Sequence, residues 1–299
     1  MFLAPIVLFT YNRLWHTRQT IEALRKNDLA VESELIILSD GPRNENARIQ
    51  VEEVRQYLKT IVGFKRIQIH ERKENRGLAN SIIDGVTKTV NEYGRVIVLE
   101  DYLLTSPFFL RYMNEALNLY EQDDRVISIH GHVFPLKTAL PETFFIKGAD
   151  CLGWATWKRG WDLFENNGAL LLKELKDRNL TRAFDFNNAY PYTNMLINQI
   201  EGKVGSWAIR WYASAFLRDK LTLYPGRSLV FHNGGDGSGT NSGVSNWLDV
   251  KISQTPIQIG GLEITESVIG RKAFEEFYRM MKGSFGDRLK QKIRKVLCR

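Results

Sequence analysis

The sequence has few cysteines and no apolar run long enough to cross a membrane. Its 299 residues include two cysteines, Cys151 and Cys298, far apart in the chain. This number excludes a disulfide framework and a zinc site of the CxxC type, and it favours a reducing compartment. No segment approaches the ~18 consecutive apolar residues of a transmembrane helix. The apolar Met1–Phe9 is short and lacks the basic region of a signal peptide.

Two nucleotide-binding signatures are also missing. The sequence contains neither a GxGxxG fingerprint nor a GxxxxGK[ST] phosphate loop after its apolar runs. These absences argue against NAD-dependent enzymes and P-loop NTPases. With 43% hydrophobic residues, 25% charged residues and 8 prolines, the composition is that of a globular chain and excludes disorder, collagen-like repeats and coiled coil. Its length predicts one or two domains.

The first hundred residues alternate apolar runs with amphipathic stretches. The pattern predicts strands at Pro5–Thr10, Leu35–Ser39, Arg66–His70 and Arg95–Glu100, separated by helices at Leu14–Lys26, Glu45–Val62 and Leu78–Tyr93. Strands joined through helices form right-handed units of a parallel sheet. The sequence therefore predicts an α/β, Rossmann-like fold with a mainly parallel sheet flanked by helices.

After Ser106 the pattern is less regular. It predicts helices at Phe108–Tyr120, Trp154–Phe164, Pro191–Ile200 and Ser206–Arg218, strands at Val126–His130, Leu221–Tyr224 and Ser228–Phe231, and a glycine-rich loop at Asn233–Gly243. We divide the chain into a main domain, 1–245, and a C-terminal extension, 246–299, which contains a basic amphipathic helix. Within the main domain, 1–105 is the predicted nucleotide-binding half, and 106–245 is the smaller half.

Polar clusters follow all four predicted strands of the first half. They are Thr10–Arg13, Ser39–Arg43, Glu71–Gly77 and Glu100-Asp101. Because ligands of open parallel sheets bind beyond the carboxyl ends of the strands, we expect these clusters to form one site.

The side chains in these clusters suit a nucleotide. Asp40 is expected to accept from a ribose hydroxyl or a base N–H, and Arg13, Arg43 and Arg76 to pair with a diphosphate. The alternative is that Asp40 and Arg43 only cap a turn. Glu100 and Asp101, at the end of a buried strand, require a cation, a basic partner or a shared proton.

Several stretches together resemble a known enzyme family. They are PIVLFTYNR, LIILSDGPRN, ENRGLANSIIDGV, VIVLEDYLLTSPFFLRYMNEAL, LGWATWKRGW and GSWAIRWYASAFLRDKLTLYPGRSLV, in order between about Pro5 and Gly243. In these stretches the chain resembles GT-A-fold glycosyltransferases of the bacterial family-2-like type, and it is distantly similar to the N-acetylglucosaminyltransferase I family. The resemblance implies a GT-A fold with a smaller acceptor-side region, and transfer of a sugar from a nucleotide donor.

The resemblance also implies roles for individual residues. Donor-binding residues would be Thr10, Tyr11, Arg13, Asp40, Arg43, Asn75, Arg76, Gly77, Glu100, Asp101 and Tyr102. Asp40 would hold the uracil or an equivalent base, and Glu100-Asp101-Tyr102 stands where the family has its acidic motif. The acceptor wall would come from Gly153, Trp154 and Trp207, with core packing the alternative for Trp157 and Trp161.

Two positions depart from the family pattern and concern the metal. Tyr102 replaces the acid that binds Mn²⁺ or Mg²⁺ in relatives, and a phenol is a poor ligand for hard cations. Asn241 lies near the place where a histidine is expected. We keep Asp101 as the one candidate metal ligand and expect weak or absent dependence on Mn²⁺ or Mg²⁺, with arginines stabilising the leaving group.

The catalytic base is the least defined group. Many relatives carry an acid after the tryptophan that corresponds to Trp207, whereas this chain has Ala208 and Ile209. Asp236, in the glycine-rich loop, is the first candidate and Asp101 the second. A turn residue among glycines is the alternative for Asp236.

These observations predict a hexosyltransferase for surface polysaccharide synthesis in a bacterium. The donor would be a UDP-sugar, the acceptor a saccharide or lipid-linked saccharide, and the stereochemistry inverting. One alternative is a catalytically degenerate protein that binds a nucleotide sugar or glycan. Another is a sugar-phosphate nucleotidyltransferase, although TYNRLWH lacks that class's glycine-rich, basic signature.

The net charge of +7 is concentrated at the C-terminus. Arg288–Arg299 contains six basic residues and no acid: Arg288, Lys290, Lys292, Arg294, Lys295 and Arg299. Nucleic-acid binding is not expected, because the charge lies in one tail with no aromatic-rich β platform. We expect a cytoplasmic protein that binds peripherally to the inner membrane face, since each Lys or Arg near an anionic surface adds about 1 kcal/mol.

Deletion of the basic tail tests this expectation. A chain ending before Asp287 should sediment with anionic liposomes less than the full chain does, and 0.5 M salt should weaken only the full chain's binding. Neutral liposomes are the control. Equal sedimentation of both chains would refute membrane binding through the tail.

Overall fold

The computed structural model describes residues 2–238 and 247–297, with only the backbone course for 283–297. The strands are β1 (Ile6–Thr10), β2 (Glu34–Ser39), β3 (Arg66–Glu71), β4 (Arg95–Glu100), β5 (Leu103–Thr105), β6 (Val126–His130), β7 (Thr143–Lys147), β8 (Trp154–Trp157), β9 (Leu221–Pro225) and β10 (Val230–His232). The helices are α1 (Leu14–Arg25), α2 (Glu45–Leu58), α3 (Gly77–Tyr93), α4 (Phe109–Leu119), α5 (Lys158–Trp161), α6 (Gly168–Asp177), α7 (Thr181–Phe184), α8 (Tyr192–Ile200), α9 (Ala208–Leu217) and α10 (Val268–Leu297).

One eight-stranded sheet has the order β3-β2-β1-β4-β8-β6-β9-β7. Strands β3, β2, β1 and β4 pair in parallel, as do β6 and β9. The remaining pairs in the sheet are antiparallel, and β5 and β10 form a separate antiparallel ribbon. The predicted α/β fold with a mainly parallel sheet flanked by helices is confirmed.

Helices cover both faces of the first half of the sheet. Side chains of β1 alternate between two cores: Ile6 and Leu8 pack in the same cluster as Ile21 of α1, whereas Val7 and Phe9 pack in that of Val86 of α3. A strand covered on both sides is apolar throughout, which explains the continuous IVLFT run.

Helix α3 packs closely on the sheet at Gly85. A Cβ atom on Gly85 would meet Cδ1 of Leu38 and would lie 2.9 Å from the ring of Phe9. A larger residue at this position would therefore require the side chains of β1 and β2 to move.

The predicted helix at Trp154–Phe164 is wrong. Trp154–Trp157 is a buried strand between β4 and β6, and a short helix, Lys158–Trp161, follows it. A short apolar run has no period that separates a buried strand from a buried helix. Strand β7 and helix α6 were not predicted, and α2 ends at Leu58, earlier than the predicted Val62.

The segment after residue 246 packs against the rest of the chain. The N–H of Ser253 donates to the carbonyl of Ser228 at 2.8 Å, and Phe274 and Tyr278 of α10 are buried in a core cluster with Phe144 of β7. Residues 247–282 therefore contribute to the packing of the preceding part of the chain, and the predicted division into domains stays a prediction. The predicted boundary lies among 239–246, outside the described residues.

Helix α10 contains most of the basic segment on which the membrane prediction rests. Among the residues with described structure, no helix has the length and apolarity needed to cross a bilayer. The backbone is helical to Leu297, but the side chains of the basic segment lie outside the description. The predicted peripheral binding stays a prediction.

Candidate active site

A cleft of about 500 Å³ opens at the carboxyl edge of the sheet, between the ends of β1, β2 and β4 and the start of α3. Its lining contains every residue predicted for the donor: Thr10, Tyr11, Arg13, Asp40, Arg43, Asn75, Arg76, Gly77, Glu100, Asp101 and Tyr102. The structure thus brings the four predicted clusters together. Their roles in binding stay predictions.

A larger, more open groove of about 990 Å³ lies between α1 and α2. Its lining contains neither Glu100 nor Asp101.

Asp40 binds backbone and side-chain N–H groups of the chain itself. Its Oδ1 accepts from the N–H groups of Gly41 and Arg76, both at 3.0 Å. Its Oδ2 accepts from the N–H of Gly77 at 2.9 Å and from Nδ2 of Asn75 at 3.1 Å. A carboxylate has about four lone-pair positions, so both oxygens are filled. Asp40 therefore anchors the N-terminus of α3, and in this arrangement it offers no acceptor to a base or ribose.

The three arginines predicted for a diphosphate lie at different depths. Arg76 is mostly exposed, and its Nη1 donates to Oδ2 of Asp84 at 3.2 Å. Arg43 is exposed, and its backbone N–H donates to the hydroxyl of Tyr11 at 3.1 Å. Arg13 is the deepest of the three, with its side chain largely buried.

Arg13 is paired with Asp101 inside the cleft. Nη2 of Arg13 donates to Oδ1 of Asp101, and the guanidinium carbon lies 5.1 Å from the centre of the Tyr102 ring. Asp101 also accepts from the backbone N–H of Tyr11. Burial raises the pKa of Asp101, and the Arg13 cation opposes that rise. The Arg13 cation therefore balances the negative charge of Asp101, and Asp101 is poorly placed to take a proton from an incoming hydroxyl.

Glu100 and Tyr102 form the floor beside this pair. Burial raises the pKa of Glu100 to about 7, a hydrogen bond from Tyr102 opposes the rise, and Asp101 adds to it. Oε2 of Glu100 is buried and has no hydrogen-bond partner among the residues that the structure describes. Burial also raises the pKa of Tyr102 well above its usual value of 10. Near neutral pH the Glu100 carboxyl is thus shared between its protonated and ionised forms, and Tyr102 is a neutral phenol.

These groups do not form a site for Mn²⁺ or Mg²⁺. A hard divalent cation takes several oxygen ligands, mainly carboxylates, whereas Asp101 is bound to Arg13 and Tyr102 is neutral. Across 2–238 and 247–282, no three His, Cys, Asp or Glu side chains are grouped to hold a metal. Asn241, the other predicted departure, lies outside the described residues.

Two histidines near the cleft were missed by the sequence analysis. His232, at the end of β10, lines the cleft, and its ring centre lies 5.0 Å from that of Tyr102. Burial lowers the pKa of His232, so the imidazole is neutral at neutral pH. His16, on α1, is buried, because α1 places it against the loop after β10. Nothing local in the sequence marks either contact.

Asp236 lies beside the cleft on the loop after β10. Its side chain is 49% exposed, and its Oδ2 lies 3.2 Å from Nε2 of His16. Its Oδ1 accepts from the N–H and Oγ of Ser238, at 3.0 and 2.7 Å, and these bonds lower the pKa of Asp236. Asp236 is thus an ionised, accessible carboxylate at neutral pH.

The residues predicted for the acceptor wall are in the core. Trp154 and Trp207 are only 1% and 4% exposed, with ring centres 5.4 Å apart, and Trp161 and Trp211 pack against Trp154. A Cβ on Gly153 would lie 2.8 Å from Val230. In this arrangement these residues are packed in the core, because Trp154 is on the interior strand β8 and Trp207 stacks against it.

No family model and no curated protein matches the chain. Among solved structures, it is similar to S. aureus TarS 1–349, with 12% identity, a TM-score of 0.35, and coverage of 60% of this chain and 49% of that one. It is also similar to the mannosyltransferase PcManGT from Pyrobaculum calidifontis in complex with GDP-Man and Mn²⁺, with 11% identity, a TM-score of 0.40, and coverage of 73% and 70%. The chain thus spans about half the length of TarS 1–349.

Replacing Asp40 tests its anchoring role. Asp40→Ala leaves the N–H groups at the start of α3 without an acceptor, and the free energy of unfolding should fall by about 1–3 kcal/mol. Asp84→Ala, which removes an exposed carboxylate from the same helix, should change it by less than about 1 kcal/mol. Urea denaturation followed by circular dichroism measures both. Equal losses in the two variants would contradict the anchoring role.

Proposed function

We propose that this chain is a glycosyltransferase of the GT-A type, which transfers a sugar from a nucleotide-sugar donor to a saccharide acceptor. The observation that carries the proposal is the meeting of all eleven predicted donor residues, from four strand ends, in one cleft. Its volume of about 500 Å³ lies in the range of small-molecule sites. A UDP-sugar donor is the finer proposal, and it rests on the family resemblance in the sequence.

Arg13 is the residue proposed to stabilise the leaving group. Departure of the sugar leaves negative charge on the diphosphate, and a fixed cation in a desolvated cleft stabilises that charge more than water does. Arg13 is the most buried of the three cleft arginines, and Asp101 holds its guanidinium in place. Arg43 and Arg76, which are exposed at the rim, are proposed to pair with phosphate oxygens of the donor.

Asp236 is the proposed catalytic base. It is accessible and ionised, whereas Asp101 is buried and paired with Arg13. In the proposed reaction the acceptor oxygen attacks the anomeric carbon, and the bond from that carbon to the diphosphate breaks. The acceptor proton passes to Asp236, and the diphosphate leaves with the bonding electrons. Attack opposite the leaving group would invert the anomeric centre.

Two other functions remain alternatives. One alternative is a protein that binds a nucleotide sugar without turnover. The pairing of Asp101 with Arg13 is compatible with it, and so are the residues Tyr102 and Ala208. A sugar-phosphate nucleotidyltransferase is less favoured, because the turn after β1 lacks a glycine-rich phosphate loop. A lipid-linked acceptor at the inner membrane face, and a place in bacterial surface polysaccharide synthesis, are part of our proposal.

A ligand screen with a turnover assay separates these functions. We expect a nucleotide sugar from a UDP-, GDP- and CMP-sugar panel to raise the melting temperature, because ligand binding to the folded state stabilises it. The best binder should be hydrolysed or transferred, and turnover should persist in EDTA because Arg13 supplies the positive charge. Binding without turnover would support the alternative binding protein, and no binding would refute the proposal. Complete loss in EDTA, restored by Mn²⁺, would show that a metal is required.

Replacing Asp236 tests the base. Asp236→Asn removes the proton acceptor and should lower kcat by about 10²-fold or more, while donor binding by thermal shift stays unchanged. Asp177→Asn, which alters an exposed carboxylate on α6, is the matched control. A near-normal rate for Asp236→Asn would eliminate Asp236 as the base.

A further inference from the structure

We infer that His16 is a positioning residue that orients the carboxylate of Asp236 toward the acceptor. The inference rests on the proposed function and adds a residue to its site. The two side chains come from opposite ends of the sequence region that forms the cleft, α1 and the loop after β10. Nε2 of His16 and Oδ2 of Asp236 are 3.2 Å apart.

His16 is more buried than Asp236, so we treat His16 as the orienting residue and Asp236 as the residue that is oriented. The His16 side chain is 7% exposed, whereas that of Asp236 is 49% exposed. Nε2 of His16 is buried and makes no aligned hydrogen bond within the described part of the chain. A buried ring nitrogen without a partner costs free energy, and the Asp236 carboxylate lies within ion-pair distance of it. In the proposed arrangement Nε2 carries the proton and donates to Oδ2 of Asp236.

Burial and the helix confine His16. It lies in the first turn of α1, and the ring of Trp15 stands edge-on to it, with ring centres 4.9 Å apart at 88°. The next residue, Thr17, is buried, and its hydroxyl donates to the carbonyl of Arg13 at 2.9 Å, which supports the backbone of this turn. A buried ring can direct a more exposed side chain, which is how a supporting residue preorganises a site.

The carboxylate is then fixed from two sides. Ser238 holds Oδ1 through its N–H and hydroxyl, and His16 holds Oδ2. Without His16, an exposed aspartate samples other rotamers, and the fraction of time it faces the acceptor falls. Misplacement of a reacting group by about 1 Å can cost about 10²-fold in rate.

Two other charged groups face this pair. Asp101, at the end of β4, interacts electrostatically with His16, and Arg13, at the start of α1, interacts with Asp236. A charged substitute at position 16 would therefore disturb Arg13 and Asp101 as well. The test uses neutral replacements for this reason.

His16→Leu and His16→Gln separate the roles. His16→Leu removes the donor and should lower kcat about 10-fold or more, with the donor KM unchanged. His16→Gln keeps an N–H donor near the position of Nε2 and should recover most of that loss. Melting temperatures of both variants control for folding. Wild-type kcat in His16→Leu, or an equal loss of kcat in both variants, would overturn the inference.

A double-mutant cycle tests whether His16 acts through Asp236. In the Asp236→Asn background, His16→Leu should lower kcat by less than about 2-fold, because the group it orients is gone. A loss as large as in the wild-type background would overturn the inference, whereas an active Asp236→Asn would refute the base itself. A wild-type chain without any transfer activity would refute the proposed function, so the three failures are distinguishable.

Discussion

The cost of burying charge governs this edge of the sheet. Asp40, Glu100 and Asp101 are all less than 8% exposed, and a buried carboxylate needs N–H donors, a cation or a proton. Each of the three carboxylates meets this need in a different way. Asp40 accepts from the start of α3, Asp101 pairs with Arg13, and the pKa of Glu100 rises to about 7 so that it can hold a proton. The shape and the charge of the cleft follow from these three solutions.

The surroundings of the acids also separate their chemistry. Burial raises the pKa of Glu100 and Asp101, whereas hydrogen bonds from Ser238 lower that of the half-exposed Asp236. When the surroundings push the pKa values of neighbouring carboxyls apart, the carboxyls can take different roles. Here Asp101 balances the charge of Arg13, whereas Asp236 is suited to accept a proton. This difference is what the proposed division of roles rests on, with the cleft for the donor and the Asp236 carboxylate for the acceptor.

The sequence predicts the cleft because parallel strands end on one edge, so four polar clusters after four apolar runs must meet there. It does not predict the partners of Asp40, since a turn residue and a ligand-binding residue have the same local pattern. It does not predict the burial of Trp154 and Trp207 either, because an apolar run such as LGWATW does not reveal which neighbours cover it. The contact of His16 with Asp236 is tertiary, between residues far apart in the chain, and no periodicity records it.

The position of β8 has a mechanical consequence. This strand comes from the second half of the chain, yet it is hydrogen-bonded to β4 on one side and to β6 on the other. Rotating one half of the molecule against the other, as a hinged two-domain enzyme does when it closes, would break the backbone bonds between β4 and β8. Under the proposed function, adaptation to donor and acceptor would therefore come from the loops at the rim, while the sheet that spans both halves stays intact.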